Sequence, residues 1–219
     1  MRAVRIAVVY VHGLWMNGLE GTFLRWRLAK ELDAATPMFA YRSIGADIAA
    51  NARALAKRLS RLRADTLHLV GHSLGGLVIC KMLEDGGDAS LPPGRVVLLG
   101  SPVAGSRAAS NLAAWKIGRF ILGRTARDEL LVRRDPRWAH NRELGVIAGT
   151  LRVGLGRIVN THPGSSDGTV YVDETLIPGM KEHLTMHVSH TGLPFSAAVA
   201  AQTAAFLRQG RFNGVAAQR

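Results

Sequence analysis

The chain holds 219 residues, 47 % of them hydrophobic and 20 % charged, with a formal net charge of +12 at pH 7. That length suits one well-buried core and is short for two. A single cysteine, Cys80, excludes an internal disulfide framework and a cysteine-rich zinc site, and no run approaches the roughly 18 apolar residues that span a bilayer.

The positive charge is scattered, with nine Lys or Arg between Arg107 and Arg142 as the densest stretch. No zinc-finger spacing and no aromatic RNA-binding motif accompanies it, so no specific nucleic-acid partner is expected. A solubilising surface is the first expectation for this charge, and weak attraction to an anionic membrane surface or substrate is the second.

The amino terminus, MRAVRIAVVYVHGLW, has a basic start and a short apolar run, as a secretory leader does. No small-residue cleavage site follows, and the run leads straight into His12-Gly13. It therefore reads as the first strand of the mature fold, in a soluble, cytoplasmic protein.

Strand-like and helix-like segments then alternate. VRIAVVYV (4–11) is β-rich, FLRWRLAKELD (23–33) has helical apolar spacing, and PMFAYRS (37–43) is a short extended segment. IAANARALAKRLSRLR (48–63) repeats Leu55, Leu59 and Leu62 at helical intervals. TLHLVG (66–71) is predicted as a strand, LGGLVICKMLED (74–85) as a helix and RVVLLG (95–100) as a strand. Residues 106–145 break the rhythm and read as a mostly helical insertion, a candidate lid. VIAGT (146–150) resumes the strand pattern, NTHPGSSDGTV (160–170) is turn-rich, and HLTMHV (183–188) is the last predicted strand. SAAVAAQTAAFLRQG (196–210) closes the chain as a helix ended by Gly210. Strands separated by helices imply parallel crossovers, hence a three-layer α/β/α sandwich around a mostly parallel sheet of about six strands. One domain over 1–219 is expected.

Gly71-His72-Ser73-Leu74-Gly75 matches G-x-S-x-G, a common enough pattern in a glycine-rich chain that its placement must carry the weight. Here a β-rich run precedes it and a helical run follows. A sharp strand-to-helix turn lifts the serine hydroxyl clear of the sheet, and Gly71 and Gly75 remove side chains that would collide with neighbouring elements. The competing reading is a glycine-rich turn with Ser73 as a helix cap.

A serine nucleophile needs a base oriented by a third group, in the chain order serine, acid, histidine. His183, His187 and His190 lie late enough to serve. His190 is preferred because it follows the last strand, at the edge where a parallel sheet builds its site. SSDGTV supplies Asp167, with Asp173, Glu174, Glu84, Asp85 and Asp88 as competitors and a plain Asx-turn as its alternative role. The backbone N–H of Leu74 would provide one oxyanion donor. The loop after the first strand, His12-Gly13-Leu14, would provide a second from Leu14, with His12 shaping the loop. Trp15, Trp115 and Phe120, together with Ile117 and Ile121, are candidates for an apolar pocket, or else for core. Cys80 is expected to be packed and inert.

VYVHGLW, LVGHSLGGLV, LLGSPVAGS, SSDGTV and VSHTGLPFS together resemble the α/β-hydrolase superfamily, specifically its small lipase-like serine esterases. The resemblance spans residues 8–197. It implies Ser73 as nucleophile, Asp167 as acid, His190 as base, and Leu14 and Leu74 as oxyanion donors. No cofactor and no metal is implied. The implied activity is hydrolysis of a small-molecule or lipid carboxylic ester through an acyl-enzyme. Thioesterase, phospholipase and acyltransferase chemistry would use the same residues, and a non-catalytic ligand- or partner-binding protein would need none of them. Relative to the larger fold, the chain is expected to start at the third strand and to place 106–145 where relatives carry a cap.

Overall fold

The computed structural model describes residues 5–44, 46–105, 137–153 and 164–214. Among them, seven strands form one sheet: β1 (Ile6–Val11), β2 (Ala34–Ala35), β3 (Met38–Phe39), β4 (Thr66–His72), β5 (Val96–Leu99), β6 (Leu144–Gly149) and β7 (Glu182–Met186). The order across the sheet is β2-β1-β4-β5-β6-β7, and every pairing is parallel. β2 pairs with the start of β1 and β3 with its end. These two-residue strands are thus two pieces of one interrupted edge, and the sheet is about six strands wide, as expected.

Among the described residues, four α-helices flank the sheet: α1 (Thr22–Leu32), α2 (Ile48–Leu59), α3 (Leu74–Glu84) and α4 (Ala197–Gln209). The strands carry almost unbroken apolar runs because both faces are covered. Alternate residues go to opposite layers. Val9, Val11, Leu67, Leu69, Val96 and Leu98 pack with Leu55 and Leu59 of α2 and with Val78, Ile79 and Met82 of α3. Val8, Tyr10, Val70, Val97 and Leu99 pack with Leu24, Leu28 and Leu32 of α1 and with Val199, Ala204 and Phe206 of α4. The two layers give the α/β/α sandwich read from the sequence.

Local chemistry sets the helix ends. The Asp47 carboxylate accepts from the Ala50 N–H at 2.6 Å and starts α2. Gly210, at φ 72, ends α4 with its N–H on the Phe206 carbonyl at 2.7 Å.

Two boundaries differ from expectation. β6 begins at Leu144, because Leu144 and Gly145 pair with Val96 and Val97, so the predicted insertion stops short of the sheet. Residues 137–143 are not helical: Trp138 is buried, with its N–H on the Pro178 carbonyl at 2.8 Å and its indole N–H on the Arg142 carbonyl at 2.6 Å. Residues 106–136, which hold the rest of the candidate lid with Trp115, Ile117, Phe120 and Ile121, lie outside the described residues.

The topology marks where a site belongs. From β1 the chain runs outward to β2 and β3, then crosses to β4 on the other side of β1. Ligands of open α/β sheets bind at such a reversal, beyond the carboxyl ends of the strands. The segments that leave those ends begin at His12 after β1, Ser73 after β4, Gly100 after β5, Thr150 after β6 and His187 after β7.

Candidate active site

Ser73 sits between β4 and α3 with φ 53 and ψ −122. It is one of three described non-glycine residues with positive φ, and such a conformation costs about 1–3 kcal/mol unless its surroundings enforce it. The surroundings here do. A β-carbon at Gly75 would run into the carbonyl oxygens of Val11 and His12, and one at Gly71 would stand 2.6 Å from the Gly76 Cα. The two glycines let α3 start directly against the end of β1. Their neighbours His72 and Leu74 are buried, whereas Ser73 is partly exposed.

Its hydroxyl meets His190. Ser73 Oγ lies 3.0 Å from His190 Nε2, and His190 Nδ1 lies 2.7 Å from Asp167 Oδ2. The three groups come from segments 117 and 23 residues apart along the chain. Asp167 is 1 % exposed and His190 7 %. The other Asp167 oxygen, Oδ1, accepts from the backbone N–H groups of Thr169 at 2.9 Å and Val170 at 2.7 Å. Asp167 therefore makes the Asx-type turn that the sequence offered as its alternative, and with its second oxygen it also reaches the imidazole. The His190 N–H in turn donates to the Asp167 carbonyl at 2.9 Å.

Several of the competing residues are engaged elsewhere. Glu174 accepts from the Tyr171 N–H at 2.9 Å, Asp85 pairs with Lys81 at 2.6 Å, and Asp88 lies 3.5 Å from Arg142. His183, inside β7, meets the Thr175 hydroxyl at 2.9 Å, and His187 is exposed.

The loop after β1 is held from beneath by His12. Its Nδ1–H donates to the Gly13 carbonyl at 2.8 Å and its Nε2 accepts from the Tyr41 N–H at 3.2 Å. The ring stacks on Tyr41 with centroids 4.3 Å apart, and the Tyr41 hydroxyl donates to the His12 carbonyl at 2.9 Å. Burial lowers the His12 pKa, which keeps this framework neutral. In the same loop, the Trp15 N–H donates to Ser43 Oγ at 3.2 Å and the Met16 N–H to the Gly13 carbonyl at 3.4 Å. Leu74 is the first residue of α3, so its N–H has no intrahelical acceptor and shares the positive end of that helix. Trp15 is 51 % exposed beside these groups.

Sequence reasoning missed the residues behind the site. Gly100 follows β5 at φ 56, and a β-carbon there would stand 3.1 Å from Asp167 Oδ2 and 3.2 Å from His190 Nδ1. Its absence leaves room for the carboxylate–imidazole bond. Gly100 opens the GSP run of LLGSPVAGS, the one available signal. Among the described residues, no cluster of three or more His, Cys, Asp or Glu is arranged to hold a metal, and no helix is long and apolar enough to cross a membrane. Cys80 is buried in α3.

Burial of histidines has a measurable consequence. His68 and His72 are buried, and loss of hydration pulls their pKa values from 6.5 down to about 4 and about 3. Well above pH 6.5 both are neutral, folded or unfolded, and contribute nothing to pH dependence. Below it the unfolded chain takes up protons that the folded chain does not. Stability should therefore fall with acidification from pH 6.5 to about 4, each histidine adding a slope approaching ~1.4 kcal/mol per pH unit. Denaturant titrations across that range check this, and His68→Gln should flatten the slope.

An open parallel sheet with a strained serine at its switch point, backed by an imidazole and a carboxylate, defines a hydrolase-like architecture. The chain belongs to the alpha/beta hydrolase family, whose model matches residues 8–209. No curated protein matches it. Among solved structures it is similar to the mature form of lipase BlEst2 from Bacillus licheniformis (TM-score 0.77, 18 % identity, covering 96 % of this chain and 94 % of that one). It is also similar to the metagenomic carboxyl esterase MGS0156 (TM-score 0.64, 18 % identity, 88 % and 66 %). A third is the RedJ thioesterase of Streptomyces coelicolor (TM-score 0.60, 16 % identity, 94 % and 85 %). At these identities the likeness is one of fold.

Proposed function

We propose that the protein is a serine hydrolase that cleaves carboxylic esters through an acyl-enzyme. The observation that carries this reading is the continuous bond path from Ser73 Oγ through His190 to Asp167, at 3.0 and 2.7 Å, from a strained elbow.

His190 Nε2 takes the Ser73 proton as Oγ attacks the ester carbonyl carbon, and the carbonyl oxygen becomes the oxyanion. The N–H groups of Leu14 and Leu74 face that charge. Each such donor is worth about 3 kcal/mol of transition-state stabilisation. Asp167 holds the Nδ1–H tautomer of His190 and stabilises the imidazolium. The tetrahedral intermediate collapses, the alcohol leaves with the proton from His190 Nε2, and the acyl group stays on Ser73. Water, deprotonated by His190, then attacks the acyl carbon, and as the second intermediate collapses the His190 proton returns to Ser73 Oγ and the acid is released.

An apolar acyl group suits the rim. Trp15, Leu19, Ile44, Val153 and Phe195 are exposed, large and apolar, and each lies on a segment that follows the carboxyl end of β1, β3, β6 or β7. Ligand sites are mostly apolar with a few placed polar groups. With p-nitrophenyl esters, kcat/KM should rise from acetate to a medium-chain acyl group, each buried methylene contributing about 0.8 kcal/mol. Trp15→Ala should flatten that rise. A matched thioester and anilide belong in the same panel, and faster turnover of either would reassign the bond cleaved.

A further inference from the structure

His72, the residue between Gly71 and the serine, has no part in the proton path, yet it touches three segments of the site. It is fully buried. Its Nε2 lies 3.1 Å from the carbonyl oxygen of His190, and the two rings are 4.9 Å apart at 38°. A β-carbon on Gly13 would lie 3.2 Å from His72 Nδ1, so the ring also lies against the oxyanion loop. Its backbone is the last residue of β4, joined to Ser73.

A carbonyl oxygen only accepts hydrogen bonds, so the proton of neutral His72 is on Nε2. Nδ1 has no partner among the described residues, and a second proton there would be a buried donor without an acceptor beside another imidazole. Burial and the neighbouring His190 push the His72 pKa down in keeping with this. The ring is therefore a neutral, one-proton strut.

Both backbone polar groups of His190 are thus tied within the site. Its N–H donates to the Asp167 carbonyl at 2.9 Å, and its C=O accepts from His72 at 3.1 Å. With the backbone pinned at both ends, only the two side-chain torsions of His190 remain to place Nε2 over Ser73.

We infer that His72 is a positioning residue for the base: its Nε2–H fixes the His190 carbonyl to the nucleophile's own strand, and so sets the distance from imidazole to hydroxyl. This rests on the proposed roles of Ser73 and His190. Small displacements of a catalytic group cost large factors in rate, because a near-attack arrangement is lost.

Glutamine and methionine test it as a pair. Both have the length and shape to fill the site of the ring, and only the glutamine amide can donate from near the Nε2 position. On p-nitrophenyl butyrate, His72→Met should lower kcat roughly tenfold or more with KM within about twofold. His72→Gln should recover to within about threefold of the parent. Equal impairment of both variants would reduce His72 to a packing residue, and a folded His72→Met enzyme with parental kcat would overturn the role. If His72→Met does not fold, His72→Gln against His72→Asn makes the same comparison, since the shorter amide cannot reach the carbonyl; equal kcat for those two overturns the role. Parental activity that survives Ser73→Ala would instead overturn the reading beneath it. Activity that needs Ser73 but ignores His72→Met would overturn the positioning role alone.

Discussion

Ser73→Ala is expected to lower kcat on p-nitrophenyl butyrate by a factor on the order of 10⁴ or more, with the chain still folded. The alanine removes the atom that would carry the acyl group, so both chemical steps lose their covalent route. What remains is His190, the backbone donors and bound water, which together give only weak catalysis. Stability should change little, because the serine hydroxyl is partly exposed and its bond to His190 is worth about 1 kcal/mol net. An alanine at φ 53 carries the same backbone strain as the serine. A thermal midpoint within a few degrees of the parent, beside lost turnover, is the expected pair of results. Loss of both together would point to an unfolded variant.

Asp167→Asn should cost about as much, on the order of 10⁴ in kcat, for a reason specific to this turn. Oδ1 accepts two backbone N–H groups, from Thr169 and Val170. In asparagine the carbonyl oxygen must take that place, since an NH₂ group there would face two donors. The NH₂ then faces His190 Nδ1, which must become an acceptor, and the imidazole proton moves to Nε2. In that tautomer Nε2 donates to Ser73 and can no longer accept its proton. KM should be nearly unchanged and the turn intact. Asp167→Ala, which also abandons the two amides, should lose stability in addition, and steady-state kinetics with thermal melts on both variants separate these effects.

Features of the sequence that depend on neighbours a few residues apart were legible. The periodicity of Leu55, Leu59 and Leu62 and the Gly210 stop placed α2 and α4 within a few residues of their observed ends. The glycines around Ser73 and the position of His190 beyond the last strand sufficed to nominate those two residues. Asp167 was nominated from a turn signature, and the turn and the contact with His190 proved to use different oxygens of one carboxylate.

What stayed hidden depends on partners distant in sequence. β6 extends to Leu144 only because β5 lies beside it. β2 is two residues long and borrows its identity from β1, whereas β3 falls inside the extended segment read at 37–43. Gly100 acquires its role from a carboxylate and an imidazole that arrive from beyond β6 and β7. The His72 bond spans 118 residues, and within G-x-S-x-G that position carries no requirement of its own.

Whether the hydroxyl of Ser73 is activated by the groups behind it is tested most directly by incubating the protein with a fluorophosphonate, digesting it and mapping the adduct by mass spectrometry. One adduct per chain, on Ser73, forming in step with loss of esterase activity and suppressed by Asp167→Asn, is the predicted result. Ester hydrolysis that persists with Ser73 unmodified, or an adduct on a different residue that accounts for the inactivation, would contradict it.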